Sequence, residues 1–263
     1  MNREKLMTIL KKSLCFLPDI LYIKLYFRVR VGRKLNLKNP KTLNEKLQWM
    51  KFNYRFPLQT IVSDKYAVRE YVRGKIGEEY LIPLYGVWNT FDDIDLSRLP
   101  DKFVLKCNHD SGGLAICQNK NQFDITSARS KINRSLKSNF YYVGREYQYK
   151  NIVPKIICEE FISNDEKVPE DYKIYCFNGV PDRNFLRYNK GDETIENPKV
   201  NKPKNLDIMI EIAKKLSEDF IFARIDLYNI DGKIYFGEIT LSPNSGFDPD
   251  ITEKTDLYFG NKL

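Results

Sequence analysis

The stretch Ala223–Thr240, ARIDLYNIDGKIYFGEIT, decides how the rest of the chain is read. Asp231-Gly232 separates two runs of alternating aromatic and branched residues, a strong local signal for a β-hairpin. Side chains alternate across a strand, so Phe222, Arg224, Asp226 and Tyr228 share one face. Ala223, Ile225 and Leu227 share the other. On the partner run, Glu238 and Thr240 oppose Ile239 and Leu241. A two-residue turn pairs Ile230 with Lys233 and sends Glu238 to the side away from Asp226. A three-residue loop, Ile230–Gly232, pairs Asn229 with Lys233. It makes Asp226 and Glu238 diagonal neighbours on one face, with Arg224 directly opposite Glu238. The second register is expected, because it gathers Ile225, Leu227, Ile239 and Leu241 on one apolar side. An odd residue or a bulge near the turn is therefore required.

Two carboxylates brought together repel, and each costs several kcal/mol to bury unpaired. A divalent cation such as magnesium resolves both problems, using paired hard oxygens with phosphates completing its shell. A cross-strand Arg224–Glu238 ion pair with Asp226 in solvent is the plainer alternative. The hairpin alone leaves both open.

The 263 residues are 42% hydrophobic and 13% aromatic, ample for a packed core and against a disordered chain. The formal charge of +8 favours anionic partners, but no Arg-rich block or zinc-finger spacing points to nucleic acid. Cys15, Cys107, Cys117, Cys158 and Cys176 are scattered without a C-x-x-C pair, which fits buried thiols in a reducing cytoplasm. There is no cleavable signal sequence, and Lys11, Lys12, Lys24 and Arg28 break the N-terminal apolar run. EKLMTILKKSLCFL, residues 4–17, has basic amphipathic spacing. It suits a helix docked on its own domain, with peripheral membrane contact as the alternative.

Residues 1–99 read as mainly helical. Thr42 with Glu45 three residues on forms a capping signature. DKYAVREYVRGKIG is expected to be helical from Asp64 to Gly74 or Gly77, and LIPLYGVW a short strand. Strands are expected at Phe103–Cys107, at Leu114–Cys117 and after Pro154, with a helix over 127–139. DYKIYCFNGVPDRNFLRY is a hairpin turning at Asn178-Gly179. Ile208, Met209, Ile212, Ala213 and Leu216 mark the inner face of a further helix. The fold class expected is α+β.

RIDLY…FGEITLSPNSGF resembles the magnesium-binding end of the ATP-grasp ligases. The resemblance implies that Asp226 and Glu238 hold metal against ATP phosphates and that Arg224 faces an acyl-phosphate. Thr240 stands where relatives commonly carry a metal-binding Asn, so Asn244 or Ser242 is an alternative contact. FVLKCNHDSGG is similar to the nucleotide-phosphate strand and loop, with Lys106 as its lysine and Ser111, Gly112 and Gly113 as its small residues. Asp110 replaces an expected Gly there. His109, the sole histidine, is expected near the nucleotide as a support of this turn. IICEEFI is similar to the adenine-holding hinge, comprising Glu159, Glu160, Phe161 and Ile162, with Glu166 for the ribose.

TLNEKLQWMK, DKYAVREYV, GREYQYKN and DYKIYCFNG extend the likeness, over roughly residues 35–250, to the TupA-like ATP-grasp proteins, encoded with polysaccharide-synthesis enzymes. The implied fold is a pair of α+β subdomains, 100–162 and 163–263, clasping ATP behind a helical region 1–99. The resemblance gives Lys173 as a second phosphate-facing cation; on spacing alone it is an ion pair with Asp171. Arg145, Glu146 and Tyr149 are candidates for an acceptor site, or else a structured turn. Lys65 and Arg69 share a helix face, which reads as solvated, with binding of an acidic sugar as the alternative. The implied function is a carboxylate–amine ligase using ATP and Mg2+, joining an amine or amino acid to an acidic sugar of a surface polysaccharide. The alternatives are a glycosyltransferase using Asp93–Asp95 or Asp248–Asp250, and a non-catalytic module for acidic glycans.

Overall fold

The computed structural model describes residues 16–163, 169, 171–187 and 203–263. The elements are α1 (Asp19–Val31), α2 (Leu43–Asn53), α3 (Pro57–Ser63), α4 (Val68–Ile76), β1 (Leu84–Trp88), β2 (Phe103–Cys107), β3 (Leu114–Cys117), α5 (Ile125–Leu136), α6 (Tyr141–Gly144), β4 (Ile156–Glu160), β5 (Asp171–Phe177), β6 (Val180–Arg187), α7 (Leu206–Ser217), β7 (Phe222–Ile230), β8 (Lys233–Thr240) and α8 (Glu253–Gly260). The expected Glu166 and most of the N-terminal basic segment 4–17 lie outside the described residues.

Two antiparallel four-stranded sheets organise the molecule, in orders β1-β4-β2-β3 and β6-β5-β7-β8. The first packs Phe103, Leu105, Cys107, Ile156 and Cys158 against Ala128 and Ile132 of α5. The second packs Ile174, Ala223, Ile225, Leu227 and Ile239 against α7 and α4. The inner face of α7 carries Ile210, not Ile208, which is exposed. Ile208, Met209 and Ile210 are consecutive apolar residues, so the sequence leaves the edge of the inner face open by two positions. On the other side of the second sheet, Tyr175, Phe177 and Phe222 are covered by Leu43 and Leu47 of α2 and Phe259 of α8. That cover stops short of the sheet centre, which leaves Lys173, Arg224, Asp226 and Glu238 facing inward without an apolar lid.

Local chemistry sets most boundaries. Thr42 and Glu45 form the expected capping box that starts α2. α4 begins at Val68 rather than at Asp64, because the Asp64 side chain accepts the Tyr66 and Ala67 N–H groups and makes a turn first. Gly74 lies within α4, and Gly77 ends it. The helix expected over 127–139 runs instead from 125 to 136, capped by Asp124. β1, the short strand expected within LIPLYGVW, pairs with β4 in the first sheet, although it lies inside the region 1–99 expected to be mainly helical.

The decisive hairpin corrects the expected register. Its turn has two residues, Asp231 and Gly232, both left-handed, and it pairs Ile230 with Lys233. The extra residue lies further along, as a bulge at Gly237 between the Leu227–Phe236 and Asp226–Glu238 pairs. Asp226 therefore faces Glu238 directly, and Arg224 faces Thr240. A Cβ at position 237 would stand 2.9 Å from the Asp226 carbonyl oxygen, so the bulge needs glycine.

Candidate active site

A cavity of about 270 Å³ opens between the two sheets. β2 and β4 contribute Lys106 and Glu159, and the β2–β3 turn contributes Asp110, Ser111 and Gly113. The second sheet contributes Asp171, Lys173, Asp226 and Glu238, and Lys65, Arg69 and Tyr149 close one side.

Arg224 organises the carboxylates. Its Nε donates to Asp226 Oδ1 at 2.7 Å and its Nη2 to Asp226 Oδ2 at 2.6 Å. The same Nη2 reaches Glu238 Oε1 at 3.0 Å and Thr240 Oγ1 at 3.1 Å. Thr240 in turn donates to Glu238 Oε1 at 2.7 Å. Lys173 bridges Asp171 and Asp226 Oδ2, the latter at 3.3 Å. Both the ion pair and the shared acidic face thus exist, but Asp226 is buried rather than solvated. Its side chain is 4% exposed, against 44% for Glu238.

The two acids differ electrostatically. Burial pushes Asp226 up to about 6, with Arg224 opposing and Glu238 reinforcing the shift. Burial also acts to raise Glu238, but Arg224, Lys65, the Thr240 hydroxyl and Lys173 together hold it below the usual carboxylate range. The donor set suits a hard cation: two opposed carboxylates and a hydroxyl oxygen, with Asp226 in its charged form penalised where it stands. Among the described residues no third acidic, His or Cys side chain joins them, so further ligands would be phosphate oxygens or water.

The β2–β3 turn is fixed from beneath. Asp110 accepts the Gly113 N–H at 3.0 Å through Oδ1 and the Ser135 hydroxyl through Oδ2. Its charge is thereby tied into the loop. A Cβ on Gly113 would meet Cys107 Sγ at 2.6 Å, so that glycine serves close packing. Ser111 and Gly113 border the cavity; Gly112 does not. His109 is buried away from the cavity, with Nε2 3.1 Å from the Ser135 carbonyl, so it supports the turn from the core side.

Lys65 and Arg69 correct the solvated-face reading. Lys65 Nζ donates to the Asp110 carbonyl, and burial lowers its pKa, with Glu238 pulling it back up. Arg69 donates to Glu159 Oε1 at 3.1 Å and to the Ile82 carbonyl at 2.9 Å. Glu159 also pairs with Lys106. Sequence reasoning missed Lys65 because its helix starts later than expected, and the turn at Asp64 re-aims the side chain. Asp64, four residues before the helix, was the available signal, since an Asp side chain there can close a turn on the N–H groups that follow.

Of the hinge residues, only Glu159 borders the cavity. The Glu160 N–H is spent on the Pro83 carbonyl at 3.0 Å, and Phe161 is buried. The acceptor candidates separate. Tyr149 borders the cavity, and burial raises its phenol well above the ordinary value. Glu146 is buried, accepting from Ser245 Oγ at 2.6 Å and Gln148 Nε2 at 3.0 Å. Arg145 is left-handed at φ 56° and buried beneath Tyr22, its guanidinium carbon 4.4 Å from that ring centroid. Its burial among tyrosines withdraws it from the cavity. Asn244 is exposed and left-handed, outside the cavity wall. The aspartates of the glycosyltransferase alternative cap local turns: Asp93 accepts the Thr90 N–H, and Asp248 accepts the Asp250 N–H.

The TupA-like ATPgrasp family matches residues 45–187 and 181–263. The chain belongs to that family. A search of the curated proteins finds no match. Among solved structures, the D-alanine–D-alanine ligase from Helicobacter pylori aligns at TM-score 0.50 and 16% identity, over 86% of this chain and 68% of that one. The L-amino acid ligase from Bacillus licheniformis aligns at TM-score 0.50 and 15% identity, over 93% of this chain and 56% of that one. At these identities the likeness shows the ATP-grasp fold, which fits the two α+β sheets and the cavity between them.

Proposed function

We propose that this TupA-like ATP-grasp protein is an ATP-dependent carboxylate–amine ligase. The γ-phosphoryl group of ATP passes to a carboxylate, and an amine then displaces phosphate, leaving an amide, ADP and phosphate. The observation that carries the reading is one cavity that sets Lys65, Lys106 and Lys173 around the opposed Asp226 and Glu238. Three ammonium groups offset the charge of a transferred phosphoryl group, and their burial strengthens that effect. Asp226 and Glu238 would hold magnesium, which supplies charge neutralisation between adjacent phosphates when bound. Arg224 spans both acids and steadies them, its Nη2 also reaching the Thr240 hydroxyl. Ser111, at the tip of the turn that Asp110 and Gly113 shape, would supply a hydroxyl donor at the phosphate end. No Ser or Cys nucleophile is needed, since positioning and neutralisation carry the chemistry.

The substrate assignment is finer and rests on the family resemblance. A uronic acid of a surface polysaccharide or its precursor supplies the carboxylate, and an amino acid supplies the amine. The test is ADP release in a matrix of uronic acids against amino acids with magnesium and ATP. The expected result is stimulation by one acid–amine pair, strongly reduced in Lys65→Met. If no pair stimulates release and ATP does not bind, the ligase reading fails.

A further inference from the structure

α1 has no separate polar and apolar faces: large apolar side chains alternate around it with Lys24, Arg28 and Arg30. Its inner face is covered: Tyr22, Ile23, Tyr26 and Phe27 cluster with Phe247. Its outer face is not. Ile20, Leu21 and Leu25, with Phe16 just before the helix, are each between 44% and 77% exposed. Lys24 and Arg28 are exposed on the same side. The spacing explains the grouping within the helix, since residues 20, 24 and 28 form one ridge and 21 and 25 the next. Asp19, the only acidic residue of α1, is turned away to the Tyr141 hydroxyl and Arg145. The outer face therefore mixes large apolar side chains with cations and presents no carboxylate.

We propose that this outer face of α1 docks on the surface of an anionic lipid bilayer. Apolar side chains enter the boundary between headgroups and acyl chains. Lys24 and Arg28 lay their stems along it and reach the phosphates. A second copy of the chain is a poorer occupant. A two-fold contact would bury these cations against the same cations, unpaired, whereas interface cores are depleted of such charge. The adjoining sequence has the matching sign: residues 1–15 contain Arg3, Lys5, Lys11 and Lys12 against Glu4 alone. The whole chain carries +8. A single short helix gives weak, reversible attachment, so lipid charge and salt control it.

The test is co-sedimentation of the full chain with phosphatidylcholine vesicles, with and without phosphatidylserine. Binding is expected only with phosphatidylserine at about 0.05 M salt, and release at about 0.5 M. Leu21→Glu with Leu25→Glu should abolish it. Lys24→Gln with Arg28→Gln should weaken it roughly fivefold per charge. These side chains are exposed, so the melting temperature should not move. Absence of vesicle binding overturns the proposal. So does binding that survives both double variants, which assigns the attraction elsewhere. A dimer that forms without vesicles and is lost in the variants gives the face to a second copy instead.

Discussion

Asp226 and Glu238 share one guanidinium yet occupy different environments, and the difference divides their roles. Asp226 is enclosed and bonded on both oxygens, whereas Glu238 stands at the cavity mouth. Glu238→Gln removes the accessible charge while keeping size and most hydrogen bonds. Stability is expected to fall by about 1–2 kcal/mol, because the half-buried Arg224 guanidinium loses a charged partner. Magnesium-dependent ADP release should fall about a hundredfold or more, the scale of losing one group that balances transition-state charge. Steady-state kinetics beside a urea titration separate the two effects. A matched loss of stability would place Glu238 in the architecture rather than the chemistry. Arg224→Lys should be costly too, since an ammonium cannot reproduce the fork onto Asp226 together with the branch to Glu238 and Thr240.

The elements depend on one glycine that carries little sequence signal. Gly237 allows the bulge that returns Glu238 to the Asp226 face, after a two-residue turn that would otherwise send it away. Gly237→Val should cost about 1–3 kcal/mol through its clash with the Asp226 carbonyl. It should also lower nucleotide affinity in excess of that loss, because relieving the clash reopens the register. Gly232→Ala is the control. It strains a left-handed turn by about 1–2 kcal/mol but points into open space, so nucleotide affinity should hold. Isothermal titration with ATP and magnesium beside thermal melts distinguishes them, and equal effects on affinity would refute the bulge argument. The contrast also marks what the sequence could reveal. Alternation and Asp231-Gly232 made the hairpin and its acidic face legible, and the apolar set Ile225, Leu227, Ile239 and Leu241 demanded that the faces coincide. Nothing local distinguished a longer loop from a bulge, because both add one residue between the same two faces. Lys65 was hidden for a related reason. Its role depends on where a turn ends, and helix starts shift with a single side-chain acceptor such as Asp64. Arg145 looked available because sequence does not show the three tyrosines that enclose it.

At the scale of the whole molecule, α2 connects the helical N-terminal region to the loop that follows β8. Lys51 is its buried link. Its ammonium donates to Gln48 Oε1 at 2.8 Å, to the Gly144 carbonyl at 2.6 Å and to the Ser245 carbonyl at 2.7 Å. Asn244, Ser245 and Gly246 are all left-handed, so this loop holds its shape only under outside restraint. Gln48 supplies more of it, donating to the Ser245 and Gly246 carbonyls. Burial pushes Lys51 down to about 7, against the pull of Glu146 and Asp19. The folded protein thus releases this proton well before the unfolded chain does. From about pH 7 to about pH 10 the unfolded state binds more protons at this site, so its contribution makes stability rise with pH. Lys51→Met should remove that rise. Near pH 7 it should also cost about 2–4 kcal/mol, because three buried acceptors lose their donor. Urea titrations of both proteins across the range give the comparison as a difference, in which other titrating groups cancel. Parallel stability curves would mean that Lys51 keeps its proton throughout, and that the loop is held by the hydrogen bonds of Gln48 and by packing against Phe247.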